Sequence, residues 1–247
     1  MKNFVVFGVV AAILVGTGCS QAPKEEAAIR KMPAGQQYSG FLSNYSNLKQ
    51  NPKFENGLTY VSEDPNKNIH KYVEIIIEPP AVYVSTNSDE KLVTNEARQA
   101  LIEYFQNSIR RAVEDAFPTT DQKGPLVLRL RSALIGVDVN SAASGQKGDG
   151  ALEHAMNIGK VGVEMELVDS ETGEQVAAAV DRENLGEGAE VGSTSFSKEE
   201  KAAAAREAFD GWANRLREFL DTAHERTDED VKRIEGTNFP YAPRGKK

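Results

Sequence analysis

Two glutamates, Glu164 and Glu166, stand two residues apart in the alternating run Val161 to Leu167. Strand alternation puts both carboxylates on one face, close enough for one to act as acid and the other as base. Alternating acids on a strand ordinarily mark a solvated face, and that is the expectation here. Arg129 and Arg131 share a face in the same way and could grip a carboxylate-bearing ligand such as a peptidoglycan stem peptide. Pairing with Glu164 or Glu166 on a neighbouring strand is the simpler expectation. The three histidines, His70, His154 and His224, fall in no HxH, HxxxH or HExxH spacing, so no metal site is expected. Each reads as a surface or loop residue.

No GxSxG nucleophile elbow occurs, and Gly192-Ser193-Thr194-Ser195 lacks the strand, turn and helix setting that exposes one. The loop Gly186 to Gly192 approaches a GxGxxG spacing, but its third glycine comes one residue late. Glu187 and Glu190 stand where phosphates would sit, and no P-loop Lys-Ser/Thr follows. Turn formation accounts for these glycines. No cofactor and no catalytic residue is expected.

The elements that position these side chains follow from periodicity. Tyr72 to Val84 predicts a strand whose β-branched run Ile75-Ile76-Ile77 suits burial on both faces. Pro79-Pro80 removes two backbone donors from it and implies an edge position or a bulge. Apolar residues then recur with helical spacing from Val93 and Ala97 through Leu101, Phe105 and Ile109 to Ala116, and Pro118 closes the helix. Leu126, Leu128 and Leu130 alternate with Val127, Arg129 and Arg131 in a second strand; a phase change around Ser132 to Gly136 predicts a bulge or bend. Asn140 to Gly150, low in bulky side chains, reads as a mobile loop. A hairpin through Asp169 to Gly173 joins strand three to a fourth carrying Val176, Ala178 and Val180. Ser197 and Glu200 have capping-box spacing and open a helix with Ala204, Phe209, Trp212, Leu216 and Leu220 on one side. The order β-α-β-β-β-α predicts an α+β fold, a two-layer α/β sandwich. A mostly antiparallel sheet of about four strands would carry two long helices on one face.

Residues 1–18 read as a lipoprotein signal peptide: Met1, Lys2 and Asn3, the apolar run Phe4 to Val15, then Gly16-Thr17-Gly18 before Cys19, the chain's one cysteine. The run falls short of the roughly 20 residues a membrane-spanning helix needs. Gly16 stands where such signals usually carry Leu, Val or Ile, so an ordinary secretory signal is the alternative. Lipidation at Cys19 is the expectation, with Ser20 as a sorting residue permissive for the outer membrane and the body in the periplasm. Residues 19–37 read as a lipidated tether and 225–247 as a flexible charged tail. Between them, 38–224 reads as a single domain opening with an irregular aromatic segment, whose Tyr and Phe side chains are expected to dock on the core. Acylation consumes the only thiol, so no disulfide, CxxC pair or cysteine zinc site is expected. The formal net charge of −8, which loss of Lys2 with the signal moves to −9, argues against nucleic acid. The partners expected are the membrane, through the anchor on Cys19, and an envelope protein or peptidoglycan.

The block Tyr38-Ser39-Gly40-Phe41-Leu42-Ser43-Asn44-Tyr45-Ser46-Asn47-Leu48, Tyr72 with the strand Ile75 to Pro79, and the strand Leu126 to Val139 resemble DUF3313, an uncharacterised family of proteobacterial lipoproteins. The likeness spans about Gln37 to Ala223. It implies a lipoprotein and assigns no catalytic residue. The expected function is a non-enzymatic binding or scaffold module at the outer membrane. A periplasmic hydrolase or small-ligand-binding enzyme, its site assembled only by folding, is the alternative.

Overall fold

The computed structural model describes residues 30–34, 36–52, 57–85, 94–114, 117–137, 160–185, 197–221 and 225. Eight strands form one sheet: β1 (Arg30–Lys31), β2 (Lys49–Gln50), β3 (Leu58–Val61), β4 (Glu74–Ile77), β5 (Ala81–Val84), β6 (Val127–Val137), β7 (Lys160–Asp169) and β8 (Gln175–Asn184). Among the described residues two α-helices, α1 (Asn95–Val113) and α2 (Lys198–Asp221), pack on one face. The strand order is β1-β5-β6-β7-β8-β3-β2, with β4 also paired to β6.

The α+β class is as expected, but the sheet is larger and mixed. Pro79 and Pro80 divide the predicted strand Tyr72 to Val84 in two, and both pieces run parallel to β6. Glu74–Ile77 lies opposite Val127–Leu130, and Ala81 to Val84 opposite Ala133 to Val137. The helical crossover through α1 returns the chain in its original direction, which makes β5 and β6 parallel. The remaining pairs, β6/β7, β7/β8, β8/β3 and β3/β2, are antiparallel. Strands β1 to β3 come from residues 30–61, read as tether and irregular segment; at two to four residues each they are too short to display a period.

The phase change in β6 is a bulge. Val82 lies opposite Leu134 and Val84 opposite Val137, so β6 holds one residue more than β5. Gly136, with φ at 62°, takes the left-handed conformation there, which glycine adopts without a Cβ clash. The β7–β8 hairpin turns where predicted. Asp169 Oδ1 accepts the N–H groups of Glu171 and Thr172 at 3.0 Å each, and Gly173 N–H donates to Asp169 O at 2.9 Å.

Thr94 caps α1 by accepting Ala97 N–H at 3.1 Å, and the helix buries the predicted stripe Ala97, Leu101, Phe105, Ile109 and Val113. The capping box of α2 is formed in both directions. Ser197 N–H donates to Glu200 Oε2 at 2.7 Å, and Glu200 N–H to Ser197 Oγ at 3.2 Å. Between helices and sheet, the rings of Phe105, Phe209 and Trp212 lie with centroids 5.4 to 6.2 Å apart in one core with Leu128, Leu130 and Leu134. Asp181, on β8, accepts Trp212 Nε1–H at 3.0 Å and pairs with Arg215, fixing α2 to the sheet. Among the described residues no helix is long and apolar enough to cross a membrane.

Candidate functional site

The register of the central strands decides what surrounds the two glutamates. Glu164 lies between Ala133 on β6 and Val180 on β8, and Glu166 between Arg131 and Ala178. The acids therefore stand on an apolar face, turned away from the helices. A carboxylate taken out of water there needs hydrogen-bond donors. Residues 39–45 supply them. Ser39 donates its N–H to Glu164 Oε1 at 2.9 Å and its hydroxyl to Oε2 at 2.6 Å, and Tyr45 donates its hydroxyl to Oε2 at 2.6 Å. Ser43 donates N–H and hydroxyl to Glu166 Oε2 at 2.9 and 2.6 Å, and Gln175 Nε2 donates at 2.8 Å. Arg131 pairs with Glu166 Oε1.

This overturns the solvated-face expectation: Glu164 is 0% and Glu166 1% exposed. The aromatic segment is the cause. Leu42 joins Ala178 and Val180 in a second core, with Tyr38, Phe41, Tyr45, Leu48, Leu58 and Tyr60 packed against it. Tyr38 stacks on Tyr45 at 4.7 Å, and Arg131 lies 5.0 Å over Phe41. The aromatic residues thus dock on the body as expected. Burial first, and then the hydrogen bond to Glu164, push the Tyr45 phenol well above its ordinary pKa and keep it a donor. Saturated with protein donors, the carboxylate pair fastens residues 39–45 to the sheet instead of offering oxygens to a substrate.

Arg131 meets Glu166 as expected, whereas Arg129 pairs with Glu78 at 3.3 Å, a residue on the neighbouring parallel side of β6. Glu78 also lies 3.9 Å from Arg131. His70 sits half-buried in a single 3-10 turn, Ile69–Lys71. Cys19, Ser20, His154, His224, the glycines from Gly186 to Gly192 and Ser193 to Ser195 lie outside the described residues. Among the described residues no three His, Cys, Asp or Glu side chains converge as metal ligands.

A second feature lies on the helix side, where β3 extends the sheet beside α2. A groove of about 280 Å³ opens there between Thr59 and Val61 on β3, Ala177 and Ala179 on β8, and Leu216 and Phe219 on α2. Met165, Leu167 and Trp212 also line it, and Asn51, Arg215 and Glu218 add polar groups. Val61 is 45% exposed, unusual for a large apolar side chain among the described residues.

Sequence reasoning missed Ser39, Ser43, Tyr45 and Gln175 as carboxylate partners, and Val61 as a groove residue. The cross-strand neighbours held the signal for the first group. Ala133, Ala178 and Val180 beside the acids describe a dry face, but only once the register is known.

Fold and site together define a two-layer α+β domain in which the sheet face opposite α1 and α2 is covered by residues 38–48 and held through two buried carboxylates. The chain belongs to the family described as protein of unknown function (DUF3313), whose model matches residues 37–216. It is 25% identical over 138 residues to the uncharacterized lipoprotein YdcL of Escherichia coli K12, and equally to that of the O157:H7 strain. The aligned part covers 56% of this chain, which spans 58% of the length of these curated relatives. Among solved structures, a PelC dodecamer from Paraburkholderia phytofirmans matches at 15% identity and a TM-score of 0.35, over 65% of this chain and 97% of that one. Protein XCC0632 from Xanthomonas campestris matches at 13% and 0.34, over 64% of this chain and 88% of that one.

Proposed function

We propose that this protein is a non-enzymatic, lipid-anchored binding module of the bacterial envelope. It is held at the outer membrane through an acylated Cys19, sorted there by a permissive Ser20, with its body in the periplasm. Two supports bear on the anchor: Cys19 directly follows Gly16-Thr17-Gly18 after a short apolar run, and the E. coli relative is named a lipoprotein. Several acyl chains on one residue anchor stably, since each buried methylene contributes ~0.8 kcal/mol.

The observation that carries the binding role is the groove beside β3, where Val61 stands exposed at an apolar concavity. Exposed apolar surface at a concavity marks contact sites. An envelope protein presenting apolar side chains fits this lining better than the polar glycan and stem peptides of the wall. In cells fed labelled palmitate, the protein takes up label, and Cys19→Ala loses both label and membrane fractionation. Crosslinking and capture retrieves an envelope protein that Val61→Asp no longer retains while melting like the unmodified chain. Unlabelled protein, or equal capture by Val61→Asp, overturns the reading.

A further inference from the structure

The groove lies at the far end of α2. Phe219 lines it, two residues before Asp221, the last described residue of the helix. The 26 residues that follow, 222–247, carry 11 charged side chains and one apolar cluster, Phe239-Pro240-Tyr241-Ala242-Pro243. An extended chain covers up to ~3.3 Å per residue, so residues 222–238 easily span the return from Asp221 to the groove. Aromatic and proline side chains suit a groove walled by aromatic and aliphatic groups. Charge agrees as well. Arg244, Lys246 and Lys247 follow the cluster, while the groove presents exposed Glu218, and exposed Glu63 lies two residues past Val61.

We propose that residues 239–243 dock in the groove between β3 and α2, with Arg244, Lys246 and Lys247 set against Glu218 and Glu63. The chain's own segment then occupies the site until an envelope partner displaces it; this displacement rests on the groove being the docking site named above. A tethered segment competes at an effective concentration on the order of mM, so only a partner of good affinity gains entry.

The test places a photo-crosslinking benzoylphenylalanine at Val61 in the full-length mature chain. Irradiation is expected to join position 61 to residues 237–243 of the same molecule, located by peptide mass spectrometry, with the yield falling several-fold in Phe239→Ala/Tyr241→Ala. A crosslinked dimer assigns the groove to a second copy, and a crosslink elsewhere in the chain or to another protein assigns it to a different occupant; each overturns the proposal. As an independent measure, removing residues 225–247 raises binding of an apolar fluorescent dye and shifts the emission of Trp212, the sole tryptophan. Unchanged dye binding and emission overturn it too. If these tests fail while Val61→Asp still abolishes partner capture, only the self-docking is lost and the partner reading stands.

Discussion

Replacing Tyr45 with Phe removes one oxygen and asks whether the carboxylate clasp holds residues 39–45 to the sheet. That oxygen donates to Glu164 Oε2 at 2.6 Å and accepts Leu42 N–H at 3.0 Å. A hydrogen bond to a charged group contributes ~1.5–3 kcal/mol, and a neutral one ~0.5–1.5. Tyr45 is half-buried, so water can replace part of what is lost, while Ser39 still supplies two donors to Glu164. The expected loss is therefore about 2 kcal/mol, toward the low end of the sum. For a domain of this size that lowers Tm by about 4–8 °C. With a urea slope near 2 kcal/mol per M, the midpoint falls by roughly 1 M. Urea unfolding followed by Trp212 reads the global transition, since that ring is buried on the other side of the sheet. A cycle with Ser39→Ala should show coupling, because both residues act on one carboxylate. Stability of Tyr45→Phe within about 0.5 kcal/mol of the unmodified chain would refute the clasp as a stabilising device.

Three further outcomes follow from the same geometry. In Gly162→Ala the new Cβ meets Asp181 O, Ile135 Cγ1 and Arg182 Cγ at 2.9 Å each, so thermal unfolding should show a loss of ~1–3 kcal/mol. Asp181→Ala leaves Trp212 Nε1–H and Arg215 without their shared carboxylate, costing ~1–3 kcal/mol in urea unfolding and shifting Trp212 emission. The pH dependence has two limbs. Burial alone would raise the Asp169 pKa, but the Thr172 N–H, the Tyr72 hydroxyl, the Glu171 N–H and the Lys71 charge outweigh it and hold the carboxyl below its ordinary 3.8. Its folded pKa is thus depressed, and its contribution is full above about pH 4 and lost as pH falls below that. Burial, then hydrogen bonds to Asp169 and Glu164, raise Tyr72 and Tyr45 respectively. Their contribution is full below about pH 10 and lost as pH climbs past it. Urea midpoints measured across pH should fall at both ends, with Tyr45→Phe flattening the alkaline limb and Tyr72→Phe flattening both, since its hydroxyl titrates in one and holds Asp169 down in the other.

Elements with a full period were legible in the sequence: both helices, the capping box at Ser197 and Glu200, the Asp169 hairpin and the bulge near Gly136. Each depends on residues within a few positions of one another. The sheet's size was not, because β1, β2 and β3 hold two to four residues apiece and exist only through partners elsewhere in the chain. The environment of Glu164 was hidden for the same reason. Alternation tells which residues share a face, not what covers it, and the cover, Ser39, lies 125 residues away. The YSGFLSNY block carried the family likeness, and the structure supplies its chemical content: the two serines and the second tyrosine are the donors that buried carboxylates require.

Chain order gives the clasp a mechanical meaning. Leading residues enter the body at β1, held by pairing with Tyr83 and Val84 and by Met32 N–H to Val84 O at 3.0 Å. Next come the five hydrogen bonds from Ser39, Ser43 and Tyr45 to the two carboxylates. A pull arriving from before Arg30 strips the two-residue strand first and then loads these five bonds. Bonds loaded together share tension, whereas a ladder opened from its end breaks rung by rung. The clasp is thus an anchor point, like the grip where a cable enters a housing: tension on the leading segment passes at Ser39 to Tyr45 into β7, at the centre of the sheet, where β6 and β8 brace it on either side.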